Sequence, residues 1–362
     1  MRKFIRNFVL GAAAVAATLP FSMNVQAFTL EGKTVTWLVG FAEGGGTDRL
    51  TRVLQQKLGE HLPGNPKVIV LNKPGGGSVT ASNDFHANAP ADGTILMMAS
   101  TSGMLPALLG AKRAKYNPNE WVAVAGFSRG ATMFGISDQL GVKGTDMKAD
   151  YEALKSANIR FGTETPLSAE MLDFVSIHML GLKGNYLFGL GSKDAEAALK
   201  RGEMNVNTDN TRSYLKDYGK DPKVNPIWAY GYIDSDGNLL RDPGLPNVHT
   251  FPEFYKTVTG KAPAGLAYEM QKSLMNAKVM ISKTVMLPRG TPDNIRQAYI
   301  KALKAVISDP EVAKRINKET GGLPVTYGNQ TQKAIAVGTS LDPKVRKWAD
   351  QFLKENFDLS LD

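Results

Sequence analysis

Two glycine-rich segments carry most of the chemistry this sequence offers. The first is Gly40-Phe41-Ala42-Glu43-Gly44-Gly45-Gly46-Thr47-Asp48, which follows an apolar run and opens a helical stretch. The second, Asn72-Lys73-Pro74-Gly75-Gly76-Gly77-Ser78, holds the same place after the next apolar run. Glycines let the backbone turn tightly and leave amide N–H groups uncovered. A helix start adds unpaired donors and the positive end of the helix dipole. Together these features suit a bound anion. Either segment alone also reads as a plain strand-to-helix turn, and Thr47 or Asp48 can cap the helix behind the first. The pair is less ordinary. In a parallel sheet both loops lie outside the carboxyl ends of their strands, where ligands bind in open α/β folds. Ser100-Thr101-Ser102 follows a third apolar run and reads either as added hydroxyls at that edge or as a helix cap. Arg129 reads either as a bidentate partner for a ligand carboxylate or as a surface arginine.

Other chemistries find less support. G-x-G-x-x-G fails at Arg49 in the first loop and at Thr80 in the second, and no G-x-x-x-x-G-K-[ST] occurs. There is no cysteine, which removes disulfides, thiolate metal sites and a thiol nucleophile. His61, His86, His178 and His249 are scattered, with no H-E-x-x-H, so neither metal nor cofactor is expected. Gly126-Phe127-Ser128-Arg129-Gly130 fits the G-x-S-x-G elbow of α/β-hydrolases. A secreted serine hydrolase using Ser128 is therefore the alternative reading. Against it, Ala131–Ser137 reads as extended where the elbow needs a helix.

The elements that would position these loops follow from periodicity. Thr34–Val39, Val68–Leu71 and Thr94–Ala99 read as strands, alternating with helices that carry Leu50, Val53, Leu54 and Leu58, then Ala81, Phe85 and Ala89. That order implies a parallel sheet with crossover helices. Val122–Phe127 and Met133–Ile136 read as further strands. A second α/β stretch runs through strands at Ile159–Gly162, Tyr186–Gly189, Met204–Thr208 and Ile227–Tyr232. Three helices are expected near the C-terminus, with Thr291 capping the first and Asp309-Pro310 and Asp342-Pro343 starting the others. The expected architecture is α/β with two lobes, 28–127 plus 231–362 and 128–230, hinged near Phe127 and Ala229.

Residues 1–27 read as a secretion signal. Arg2, Lys3 and Arg6 precede the apolar run Phe8–Leu19, and Val25-Gln26-Ala27 is a small-x-small cleavage site. The run is shorter than the roughly 20 residues that span a bilayer. Cleavage after Ala27 would start the mature chain at Phe28 and place it in the periplasm. The net charge of +9 falls to +6 without those three bases. Such a mild excess reads either as an attraction for anionic ligands or, for most of the lysines, as a solvated basic surface. The basic cluster Lys112, Arg113 and Lys115 is short and lacks interleaved aromatics, which argues against nucleic acid.

The loops resemble those of the substrate-binding receptors of tripartite tricarboxylate transporters, the Bug family. Val39–Asp48 follows that family's V-P-F-P-x-G-G-x-T-D, and Leu71–Ser78 follows its E-N-K-P-G-A-G-G. Ala89-Pro90-Ala91-Asp92-Gly93-Thr94 is similar to A-P-D-G-Y-T with one residue added. Leu287-Pro288-Arg289-Gly290-Thr291-Pro292 is similar to A-P-A-G-T-P, and Asp309-Pro310-Glu311-Val312 matches the start of the next helix. The resemblance spans the mature chain. It implies a two-lobed, type II-like periplasmic binding protein that is not an enzyme, closes on a small carboxylate, works with membrane transporter subunits and is expected to be a monomer. In the family, backbone groups of the two loops hold a ligand carboxylate. This maps onto Phe41, Glu43, Gly44, Gly45, Gly46, Thr47 and Asp48, and onto Gly75, Gly76, Gly77 and Ser78. Ser100, Thr101 and Arg129 join them from the reading above. The second lobe's G-S-A-G-type loop maps onto Gly162–Thr165 with Thr163 and Ser168, and the F-D-N segment onto Asp209. Gly40 and Ala42 replace usual prolines. Glu43 and Glu164 replace small residues, and a carboxylate facing a bound carboxylate repels it. Glu43 is therefore expected to face solvent, while Glu164 is left open.

Overall fold

The computed structural model describes residues 28–233 and 238–361. The expected signal segment and its cleavage site lie outside them. The strands are β1 Thr34–Val39, β2 Lys67–Asn72, β3 Ile95–Ser100, β4 Val122–Phe127, β5 Thr132–Ile136, β6 Ile159–Thr163, β7 Gly184–Phe188, β8 Val206–Asp209, β9 Val224–Ala229, β10 Tyr232–Ile233, β11 Leu239–Leu240, β12 Lys283–Leu287 and β13 Val325–Tyr327. β1 is rich in β-branched and aromatic residues, and Trp37 and Val39 are wholly buried. It pairs in parallel with β2 and β3. The helix Gly46–His61 lays Leu50, Val53, Leu54 and Leu58 against this sheet. Burying each of those side chains stabilises the fold by about 1.5–3 kcal/mol.

The first sheet has six strands in the order β13-β4-β12-β3-β1-β2. β12 was not expected from the sequence, yet it fills the middle, antiparallel to both β3 and β4. A second sheet has the order β8-β5-β9, and β6 pairs in parallel with β7. β10 and β11 form a hairpin within the Gly- and Pro-rich stretch.

The packing of three helices bears on the expected division of the chain. Phe251 and Phe254, on the helix Phe251–Thr259, pack on Trp228 of β9. The helix Leu266–Met275 contacts the helix Met171–Met179. Phe352 and Phe357, on the helix Pro343–Phe357, pack on His178 and Phe174. These three helices share one apolar core with β5, β6 and β9, although the sequence assigned them to the first lobe. Local amphipathicity shows that a helix has an apolar face but not which sheet receives it. One cap also differs. Pro292 is the cap of the helix Asp293–Ser308, and the Thr291 hydroxyl donates to the Pro288 carbonyl instead.

The chain passes between the sheets beside a π-helical turn at Asn276–Met280. The Arg129 N–H donates to Val279 O, the Ser128 hydroxyl to Met280 O and the Thr101 hydroxyl to Ala277 O. Three backbone carbonyls of one turn thus tie β4–β5 and the end of β3 together.

Candidate ligand-binding cleft

The parallel register brings Val39 beside Asn72 and Met98, so β1, β2 and β3 end at one edge. Helices begin there at Gly46, Val79 and Thr101. Their first-turn amides lack intrahelical acceptors, and three positive dipole ends therefore meet at one place.

Asp48 organises the first loop. It is 1% exposed and accepts hydrogen bonds from Gly44 N–H (2.7 Å), Arg52 Nε (3.0 Å) and Asn72 Nδ2 (2.9 Å). Burial raises its pKa, but these donors outweigh that and hold it below the ordinary aspartate value. Asn72 also donates to Phe41 O, which joins the two loops. Asp48 is therefore a brace rather than a ligand contact. Gly44 spends its amide on Asp48, and Gly45 spends its own on Ala42 O (3.4 Å). This removes two of the four amides expected of Gly44–Thr47 and leaves Gly46 and Thr47. The Glu43 side chain is 78% exposed and pairs with Arg52, so it does not face the cleft.

The second loop is built from left-handed residues. Gly76, Gly77 and Ser78 have φ of 58°, 68° and 78°. Glycine takes that conformation without strain. The turn points amides outward, and Gly77 N–H already meets a carboxylate, that of Glu164 beyond β6. Burial first, then Glu170, raise the Glu164 pKa, and the Gly77 amide partly opposes them. Other links cross the cleft. Ala169 N–H donates to Ser102 Oγ (3.0 Å), and Lys193 Nζ donates to Glu43 O (3.3 Å). The hydroxyls of Ser78, Ser100 and Thr165 are buried at this edge with no hydrogen-bond partner among the described residues. Buried polar atoms are ordinarily paired, so these three mark a surface suited to a polar guest.

Other expected residues are engaged within the chain. Arg129 is 6% exposed, and its Nε donates to Glu319 O (2.9 Å) while Nη2 lies 3.5 Å from the Glu319 carboxylate. Burial lowers its pKa, and Glu319 and Asp209 partly restore it. Glu319 also pairs with Arg212 and, at 3.9 Å, with Arg49. Arg129 is thus neither a surface residue nor free for bidentate ligand binding. The Thr163 hydroxyl lies 2.8 Å from Ser168 Oγ and donates to Glu170 (2.9 Å). Both hydroxyls serve Glu170, which Lys278 holds below the ordinary glutamate value against its burial. Asp209 lies at the end of β8 and accepts from Asn210 N–H (2.7 Å). Burial pushes its pKa up to about 6 despite Arg129 nearby.

Sequence reasoning missed Lys283 and Lys278. Lys283 opens β12 directly opposite Ser100. Its only outward sign is a lysine at the head of the short apolar run Lys283–Leu287. Two surface cavities, of about 430 and 320 Å³, lie elsewhere, around Thr211–Lys220 and around His178 and Phe352.

No family model matches the sequence. A UPF0065 protein from the tcbD-tcbE intergenic region of Pseudomonas sp. (strain P51) is 24% identical over 332 residues, 88% of each chain. Protein BugT of Bordetella pertussis is 37% identical over 89 residues, 25% of this chain and 26% of that one. Among solved structures, periplasmic binding protein BugD superposes with a TM-score of 0.64 at 20% identity, over 88% of this chain and 97% of that one. MatC of Rhodopseudomonas palustris with bound malate gives 0.62 at 18%, over the same shares of the two chains. Over most of its length the chain is similar to the UPF0065 protein, and its structure is similar to that of BugD. Its fold is that of a periplasmic binding protein. The hydrolase alternative is not supported. Ser128 donates to a carbonyl, β5 rather than a helix follows Gly130, and His178 packs among Trp348 and Phe352.

Proposed function

We propose that this protein captures a small carboxylate-bearing ligand in the cleft and presents it to the membrane subunits of a tripartite tricarboxylate-type transporter, without altering it. One observation carries the reading: three helix starts and the left-handed turn Gly76–Ser78 converge on one edge, where only some of the amides are spent within the chain. Hydrogen bonds to a charged acceptor contribute about 1.5–3 kcal/mol each. Three or four, less the cost of association, reach micromolar affinity, about −8 kcal/mol. The amides of Gly46, Thr47, Gly76 and Ser78 are the donors in this reading, with Ser100 and Asp209 lining the cleft. Glu164 on Gly77 stands where a ligand carboxylate would sit. The malate-bound neighbour supports the same ligand class.

The receptor works as a periplasmic monomer, exported with residues 1–27 removed. Its first lobe comprises 28–127 and 281–340, and its second 128–280 and 343–361, moving about the turn Asn276–Met280. A thermal-shift screen of di-, tri- and monocarboxylates, amino acids and aromatic acids tests the ligand class. A midpoint that rises with at least one carboxylate is expected, by linkage. No response across the library refutes the reading.

A further inference from the structure

Lys283 lies at the cleft edge with no ion-pair partner among the described residues. Its register partners are Ser100 on β3 and Phe127 on β4, and its Nζ lies 5.9 Å from the centre of the Phe41 ring. No carboxylate, carbonyl or hydroxyl among the described residues bonds to it. Lys278, five residues earlier, shows the contrast. Its Nζ is 2.7 Å from Asp173 and 3.7 Å from Glu170. Glu170 is thereby committed, with Thr163 as a further partner. Around Lys283 the charged groups are Arg129, Arg49 and Lys278, which repel it, and Glu170, which attracts it. A largely buried charge without a partner is costly, and natural folds seldom keep one without use.

Strand order sets the distance scale. β12 stands three places from β2 and two from β1. At about 4.8 Å per strand, the head of β12 is roughly 14 Å from the end of β2 and roughly 10 Å from the end of β1. A single carboxylate on the Gly75–Ser78 amides therefore leaves the Lys283 ammonium for another group further along the ligand. Phe41 lies between, beside the ammonium.

We propose that Lys283 is a specificity-determining residue that pairs with a second carboxylate of the ligand, so that the cleft selects dicarboxylates over monocarboxylates of equal length. The proposal rests on the carboxylate reading above. It adds the number of charges read and the residue that reads the second.

The test is calorimetric titration of the purified protein, and of its Lys283→Met and Lys283→Arg variants, with succinate, adipate, butyrate and hexanoate. The native protein should bind at least one dicarboxylate ten-fold or more tighter than its monocarboxylate counterpart. Lys283→Met should weaken that dicarboxylate by about 10- to 100-fold, the worth of one charge-assisted hydrogen bond. It should leave the monocarboxylate within about two-fold, a split that a merely structural lysine would not produce. Lys283→Arg keeps the charge and should retain most of the preference, which covers the case that the methionine variant folds poorly. Equal losses for both ligand types, or none, overturn the proposal. If neither these four nor any other acid of the screen binds the native protein, the carboxylate reading fails and this inference falls with it. Binding without any preference for dicarboxylates refutes this inference alone.

Discussion

Ser78 occupies the space that a side chain at position 40 would need. A Cβ built on Gly40 would lie 1.9 Å from Ser78 Oγ and 3.0 Å from Ser78 Cα. This contact accounts for a glycine at position 40, where the Bug-family pattern has a proline. Gly40→Ala should cost about 1–3 kcal/mol by overpacking. It should also push the two glycine loops apart. Ser78 has φ of 78°, a left-handed value that glycine holds more easily. Adding Ser78→Gly to Gly40→Ala should therefore recover most of the loss. Urea unfolding of the two single variants and the double variant measures the coupling. Strictly additive losses would rule out the contact.

The second loop should be the more sensitive to a side chain. Gly76 has φ of 58°, where a non-glycine residue costs about 1–2 kcal/mol. Gly76→Val should lose that stability and weaken carboxylate binding by ten-fold or more. Gly45→Ala should be milder, within about three-fold. Gly45 has φ of −71°, its new Cβ would meet only Ala42 O at 3.4 Å, and its amide is already spent. Lys73→Ala should also stay within about three-fold, because Lys73 pairs at the surface with Asp84 (2.8 Å), an interaction worth about 0–1 kcal/mol. Calorimetry with the acid found in the screen compares the three. Loss on Lys73→Ala with normal binding by Gly76→Val would reverse the assignment.

Two partly buried charges give opposite pH signatures. Burial, then Arg129, lower the Lys283 pKa from 10.5 to about 7, with Glu170 partly opposing. Between those values the unfolded chain binds a proton that the fold does not, so stability is lost as pH falls from about 10.5 to about 7. The thermal midpoint of Lys283→Met relative to native should rise over that span and then level off. Asp209 behaves the other way. Its pKa is raised from 3.8 to about 6, so the stability it contributes at low pH disappears as pH climbs through that window. Asp209→Asn, which keeps the acceptor for Asn210, should gain on native between about pH 4 and 6. Melting curves at half-unit pH steps check both. Flat differences would show that neither group is desolvated.

Glu319 should matter more than any single arginine around it. It is 7% exposed and meets Arg129, Arg212 and Arg49. Glu319→Ala leaves Arg129 buried without its paired carboxylate, with Asp209 the remaining acid nearby. The expected loss is about 3 kcal/mol, the low end for a broken buried pair, because Arg49 and Arg212 can reach water. Arg49→Ala, at a half-exposed partner, should cost under about 1 kcal/mol. Denaturant midpoints at constant slope report the difference.

The glycine loops were legible because their signals are local. A β-branched run, a glycine break and a helical period fall within thirty residues, and the parallel register then fixes their common edge. Roles set by distant partners were not legible. Arg129 offered a ligand contact or a surface position, but Glu319, far along the chain, made it a buried brace. Thr163 and Ser168 came from a family pattern that does not carry Glu170 and its claim on both hydroxyls. Lys283 looked like one of many solvated lysines, because β12 is too short to announce itself and only its neighbours make it central. The helix Pro343–Phe357 showed its apolar face plainly, yet nothing in its own residues named Phe174 as the surface that would receive it.

The central place of β12 also sets an order of events for the growing chain. β3 ends at Ser100 and β4 at Phe127, but the strand that joins them begins only at Lys283. Until that segment is available, β1–β3 form a small sheet with a raw edge, and β4 has no neighbour on that side. Closing so long a loop adds little to the equilibrium cost, but such non-local pairing slows folding. A polypeptide with this wiring cannot complete its first sheet until residues 283–287 are available, so the two glycine loops at that sheet's edge gain their final setting late.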